Sequence, residues 1–148
     1  MTAATQTAGR KGLVYAEVTL GVHDVYEEAL AFRAALDATL TALGEARDKK
    51  RAAEAMLQDA EMNIVAEERG AHPEMSQAQM DKHVKVALSK DTTVRTLRDQ
   101  LLESIGDVEG LEYDRAMNET DIKIAVARLH ELGGYFEYLA AIKRAESS

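Results

Sequence analysis

Between Asp91 and Arg144 the chain has no proline, and its apolar residues return every three or four positions. Val94, Leu97, Leu101, Ile105, Val108 and Leu111 form a first run. Ile122, Val126, Leu129, Phe136 and Leu139 resume it after a polar interruption. This is the period of a helix, whereas a half-buried strand would alternate every second residue. One helix over that span is roughly 80 Å long at 1.5 Å per residue. Its stripe cannot cover itself, so another element must.

The N-terminal half supplies a candidate. From Val25 a stripe runs through Ala29, Phe32, Leu36, Leu40, Leu43, Ala46, Ala53, Leu57, Ala60 and Ile64. The spacing predicts a helix from Asp24 to Arg69, about 70 Å long. Asp24 with Glu27 has the form of a capping box at its start. Gly44 costs about 1 kcal/mol relative to alanine inside a helix, so a break there is the alternative. Lys50 falls on the stripe, which makes the seam wet or weak at that point. Gly70-Ala71-His72-Pro73 ends the helix, with Gly70 suited to a left-handed cap and Pro73 unable to continue. Ser76 with Gln79 makes another capping box and opens a short helix through Met80, Val84, Ala87 and Leu88. Asp91 then caps the long C-terminal helix. Residues 1–11 are read as a loose tail, and Ala145 to Ser148 as a fraying end. Leu13 to Leu20 is too short for periodicity to assign, and Gly21 interrupts it.

The resulting expectation is an all-α fold in one domain, residues 1–148. An antiparallel pair of long helices forms a coiled-coil-like hairpin, with a short connector helix and a short N-terminal segment. Low aromatic content (5%) and a single proline agree with packed helices. Two helices leave apolar surface wet, so a homo-oligomer is expected. Two registers are open. If the chain reverses near Glu74, Lys50 lies opposite Arg98 and the basic residues merge. If the short helix folds aside, Arg69 meets Asp91, and Lys50 faces the acidic belt Asp107, Glu109, Glu112 and Asp114. The unlike charge of the belt favours the second register.

Composition narrows the function. With no cysteine, disulfides and thiolate metal sites are excluded. The N-terminus has no long apolar core, so neither a signal peptide nor a membrane span is expected, and the location is read as cytoplasmic. A net charge of −8 opposes general attraction to nucleic acid, but a local basic patch could still bind phosphate. Two clusters qualify. One is Arg47, Lys49, Lys50 and Arg51; the other is Lys82, Lys85, Lys90, Arg95 and Arg98. They are phosphate-holding candidates, with solvated helix faces and weak surface ion pairs as the alternative. Tyr135, Phe136 and Tyr138 could stack on bases, although Phe136 lies on the packing stripe. Gly133-Gly134 beside them permits close helix approach or a bend. His72, His83 and His130 could be metal ligands with Glu67, Glu68 or Glu131 nearby, but none has a His-x-x-x-His or Glu-x-x-His spacing on one helix face. No nucleophile–base set and no phosphate-cradling glycine loop is visible, so neither an enzyme nor a cofactor is expected.

The segment VKVALSKDTTVRTL, Val84 to Leu97, precedes a long helix with late Ala, Ile and Gly positions. It follows a charged helix that ends in Arg69-Gly70. In this the chain resembles the bacteriophage UvsY-like recombination mediators, over roughly Arg47 to Lys143. The resemblance implies an oligomeric helical protein in the host cytoplasm. It would bind single-stranded DNA and help a RecA-like recombinase replace the single-strand-binding protein. The family's basic positions ahead of the Arg-Gly turn are here Ala60, Glu61, Met62 and Glu67, so they cannot be carried over. Arg47 to Arg51 or Lys82 to Arg98 would have to substitute. The competing expectation is a phage structural or scaffold protein, or an adaptor or inhibitor, that binds protein partners through its helical surface.

Overall fold

In a computed structural model the described residues form three helices: α1 Ala3–Ala71, α2 Gln77–Lys90 and α3 Thr92–Glu146. Backbone is described for residues 3–147 and side chains for residues 21–147. Among the described residues there is no strand, and the fold is all-α with two long helices and a short one between them.

The expected start of α1 is corrected. The helix begins at Ala3, so Asp24 is an interior residue rather than a cap. The segments around Leu13 to Leu20 and Gly21 belong to the same helix, as does most of the expected tail; Met1 and Thr2 lie outside the described residues. Neither Gly21 nor Gly44 breaks it. One or two glycines at about 1 kcal/mol each are outweighed by helix on both sides.

The helix ends as expected, but for a different reason. No described glycine has a positive φ, so Gly70 is not a left-handed cap. The His72 N–H still donates to the Glu68 carbonyl at 3.0 Å, and the chain leaves the helix where Pro73 cannot follow. The Ser76 box forms in both directions. Gln79 N–H donates to Ser76 Oγ at 3.4 Å, and Ser76 N–H donates to Gln79 Oε1 at 3.1 Å. At Asp91 a carboxylate oxygen accepts the Val94 N–H at 2.8 Å, capping α3.

The chain divides into two compact units. In the unit spanning 40–113, α1 and α3 run antiparallel. Arg98 donates to Glu61 at 2.8 Å and Arg47 to Glu112 at 2.9 Å. Each step back along α1 matches an equal step forward along α3, so one register holds both bridges. It is the register in which α2 folds aside, and the merged basic surface does not form. Arg47, rather than Lys50, reaches the acidic belt; Lys50 sits 3.8 Å from Glu54 on its own helix. The core here is Leu43, Ala46 and Val108, with Leu111 packed against it. Met80 of α2 and Val94 at the start of α3 are also buried.

The other unit comprises, among described side chains, 21–39 and 114–147. It too is antiparallel: Arg128 donates to Glu28 at 3.1 Å, and Asn118 donates to Thr39 Oγ1 at 3.1 Å. Val25 and Ala125 are its buried residues. Val126, expected on the stripe, is exposed, and Ala125 holds the buried position instead. Gly133 and Gly134 lie inside α3 with open space where a side chain would stand, so they mark neither a break nor a close approach.

Candidate nucleic-acid interface

All nine candidate phosphate-binding residues fall in the 40–113 unit, and the structure separates them into unequal groups, with Arg47 already paired to Glu112. α2 turns Met80, His83, Val84, Ala87 and Leu88 inward, buried or half-buried. The 3.6-residue period then leaves Lys82 and Lys85 on the outer face, beside the exposed Val86. Lys90 ends the helix. Arg95, in the first turn of α3, folds back to donate to the Ser89 carbonyl at 3.3 Å. That places its guanidinium against the end of α2.

Lys82, Lys85, Lys90 and Arg95 are exposed and form no ion pair among the described residues. The acids within the same run are occupied locally. Asp81 accepts from Gln77 at 2.7 Å, and Asp91 caps α3. Both acids keep their charge, and four exposed cations against two carboxylates leave this a net cationic face on an acidic chain. Arg98 does not belong to it, because its guanidinium is held across the helix pair by Glu61.

Lys49, Lys50 and Arg51 lie elsewhere. His83 of α2 stands beside Glu68 of α1, eighteen residues beyond Lys50. That is about 27 Å of helical rise. Arg51 lies 3.8 Å from Asp48, and Lys50 is half-buried in the seam; of the three, Lys49 alone is exposed with no ion pair among the described residues. The two basic clusters are not one surface.

Tyr135 and Tyr138 are exposed and tilted against each other with ring centroids 6.3 Å apart, whereas Phe136 is half-buried on the packing side. Three groups that spacing alone did not join are brought together: Glu68, His72 and His83. Glu68 and His72 are one helical turn apart, a signal legible in the sequence. His83 joins them only because the 72–76 turn sends α2 back along α1, which no linear spacing encodes.

No helix among the described residues is long and apolar enough to cross a membrane. Comparison with family models, with curated proteins and with solved structures found no match.

Proposed function

We propose that this chain is a non-enzymatic, self-associating helical protein that holds single-stranded DNA on the outer face of α2, as an accessory to recombination. The observation that carries the reading is the exposed set Lys82, Lys85, Lys90 and Arg95, none of which forms an ion pair among the described residues. Such a set offers phosphate contacts without base recognition, so binding is electrostatic and tolerant of sequence. Single strands and recombination, including a RecA-like recombinase and a single-strand-binding protein as partners, come from the UvsY-like resemblance of Val84 to Leu97.

The test is fluorescence anisotropy of a labelled oligonucleotide. Four phosphate contacts give a slope of about −3 in log affinity against log salt for single strands. Lys82→Glu with Lys85→Glu is expected to abolish binding at about 50 mM salt while circular dichroism stays unchanged. Lys49→Glu is expected to leave affinity almost unaltered. No binding by the unaltered protein at that salt would remove the reading.

A specific observation favours a second reading, an adaptor or scaffold that works through protein contacts alone. Leu102 and Tyr113 are each 66% exposed, an unusual display of apolar surface. Self-association without any oligonucleotide shift would select it.

A further inference from the structure

The turn between α1 and α2 gathers two imidazoles and a carboxylate around one point. Glu68 lies in the last turn of α1, and His72 follows just beyond its end. The His72 N–H bond to the Glu68 carbonyl keeps helical geometry there, so the two side chains share one face. His83 comes from the inner side of α2, next to the buried Met80. Its Nε2 is hydrogen-bonded to Glu68 Oε2 at 2.5 Å. His72 Nε2 stands 3.9 Å from the same oxygen. The imidazole rings meet edge to face with centroids 4.7 Å apart. One ligand atom from each of the three residues lies within 4.8 Å of the others.

We propose that Glu68, His72 and His83 form a binding site for a divalent late transition-metal ion, of which Zn2+ is the best fit. Two nitrogen donors and one oxygen donor suit such an ion, whereas Mg2+ and Ca2+ favour oxygen alone. A tetrahedral ion with bonds of about 2.0–2.2 Å holds its ligand atoms roughly 3.3–3.5 Å apart. The two separations from Glu68 Oε2, 2.5 Å to His83 and 3.9 Å to His72, bracket that range, and side-chain torsions cover the difference. Three protein ligands leave one position for water.

The surroundings add an orienting partner. His72 Nδ1 lies 3.5 Å from Glu74 Oε1, on the opposite side of the ring from Glu68. A carboxylate there, drawn into a hydrogen bond when an ion binds, would favour the tautomer that presents Nε2 to the ion, the usual arrangement behind a ligating histidine. The side chains of Glu68, His72 and His83 are 27%, 36% and 37% exposed, so an ion can reach them from solvent. Lys82 lines the open hollow beside His83, together with Glu74, Met75 and Gln79. Its ammonium opposes the ion and Glu74 compensates. The ion would tie the end of α1 to α2. This proposal is independent of DNA binding, since its ligands are not the phosphate-holding residues.

The experiment uses full-length protein without an affinity tag, stripped by a chelator and titrated calorimetrically with Zn2+. Co2+ serves as a second probe through the visible absorption of its low-coordinate form, and Mg2+ as a control. Saturable uptake of one Zn2+ per chain, with a rise in Tm, is expected for the unaltered protein. His83→Ala and His72→Ala are expected to lose both responses, and Glu74→Gln to weaken binding about 10- to 100-fold. His130→Ala is expected to change nothing. His72 lies outside the helices, so its variant remains informative if His83→Ala loses helicity. No saturable Zn2+ uptake, or equal uptake by the unaltered protein and His72→Ala, would overturn the site.

Discussion

Asp91 stands where one helix stops and the next starts. Its N–H donates to the Ala87 carbonyl at 3.1 Å, which closes α2, and its carboxylate accepts the Val94 N–H at 2.8 Å, which opens α3. Asp91→Ala is therefore expected to lower stability by about 1 kcal/mol in chemical denaturation, and Asp91→Asn by less, because an amide oxygen still caps. Lys50 poses the opposite case. It occupies a seam position between Ala46 and Ala53, both buried, and among the described residues its ammonium has one ion pair, the loose 3.8 Å contact with Glu54. Such a pair contributes less than about 1 kcal/mol. Lys50→Leu is expected to stabilise by about 1 kcal/mol through burial of aliphatic surface, and to leave oligonucleotide affinity unchanged. A loss of affinity in that variant would show that phosphate reaches the seam. Arg115 also interrupts a packing stripe. Its Nε is buried without a hydrogen bond, with Glu119 at an ion-pair distance of 3.5 Å.

At the scale of elements, the packing side of each long helix follows an alternation of three and four residues. In the 40–113 unit it reads Leu43, Ala46, Lys50, Ala53, Leu57, Ala60 and Ile64 on α1. On α3 it reads Val94, Leu97, Leu101, Ser104, Val108 and Leu111. That is a coiled-coil heptad, and most of it was legible from hydrophobic spacing alone. What misled the reading was choosing the more apolar neighbour at each ambiguous step. Leu40 is 45% exposed while the adjacent Thr39 is half-buried, and Val126 is 42% exposed while Ala125 is buried. A strict heptad would have selected Thr39 and Ala125, because polar and small residues also occupy seams. Asp24 misled for a related reason. A capping residue marks a helix start only when the chain before it is not helical, and short-range spacing cannot test that. The register was legible because charge distinguished the two options, with Arg47 meeting Glu112. The histidine–carboxylate cluster was not, since it depends on the path of a turn. The interior glycines give a further expectation. Gly44 and Gly106 have negative φ and nothing within 4 Å of where a Cβ would stand. Gly44→Ala and Gly106→Ala are each expected to stabilise by about 0.5–1 kcal/mol, through lower unfolded-chain entropy and higher helix propensity. A Tm that falls in both would mean that these faces are covered in the native assembly.

For the whole molecule, the core is too thin to account for the apolar content. Among described residues the buried set is Val25, Leu43, Ala46, Ala53, Met80, Val94, Val108 and Ala125, and three of those eight are alanines. Meanwhile large apolar side chains stand in water away from the seam. Leu102 and Tyr113 lie eleven residues apart in one unit, and Ile124 and Tyr135 repeat that spacing in the other. Eleven residues are about three helical turns, so each pair presents one side of its helix segment. Burying a Leu or Ile side chain contributes about 1.5–3 kcal/mol, and exposed helix faces of this kind are covered in self-associating proteins. Light scattering at micromolar concentration is expected to give a mass above that of one chain. Leu102→Glu with Tyr113→Glu is expected to lower that mass with little loss of helicity, because neither residue supports the intrachain seam. Leu43→Ala, by contrast, removes a side chain that is 1% exposed and is expected to cost about 2–5 kcal/mol of unfolding free energy. If the glutamate variant keeps its assembly while Leu43→Ala loses it, subunits meet through the seam itself and the outer apolar faces serve another partner. If the glutamate variant becomes a single chain and also loses oligonucleotide binding, the four cations of one chain, three on α2 and Arg95 on α3, are too few. Phosphate would then be held by several α2 faces acting together, with a salt slope steeper than about −3 before the substitution.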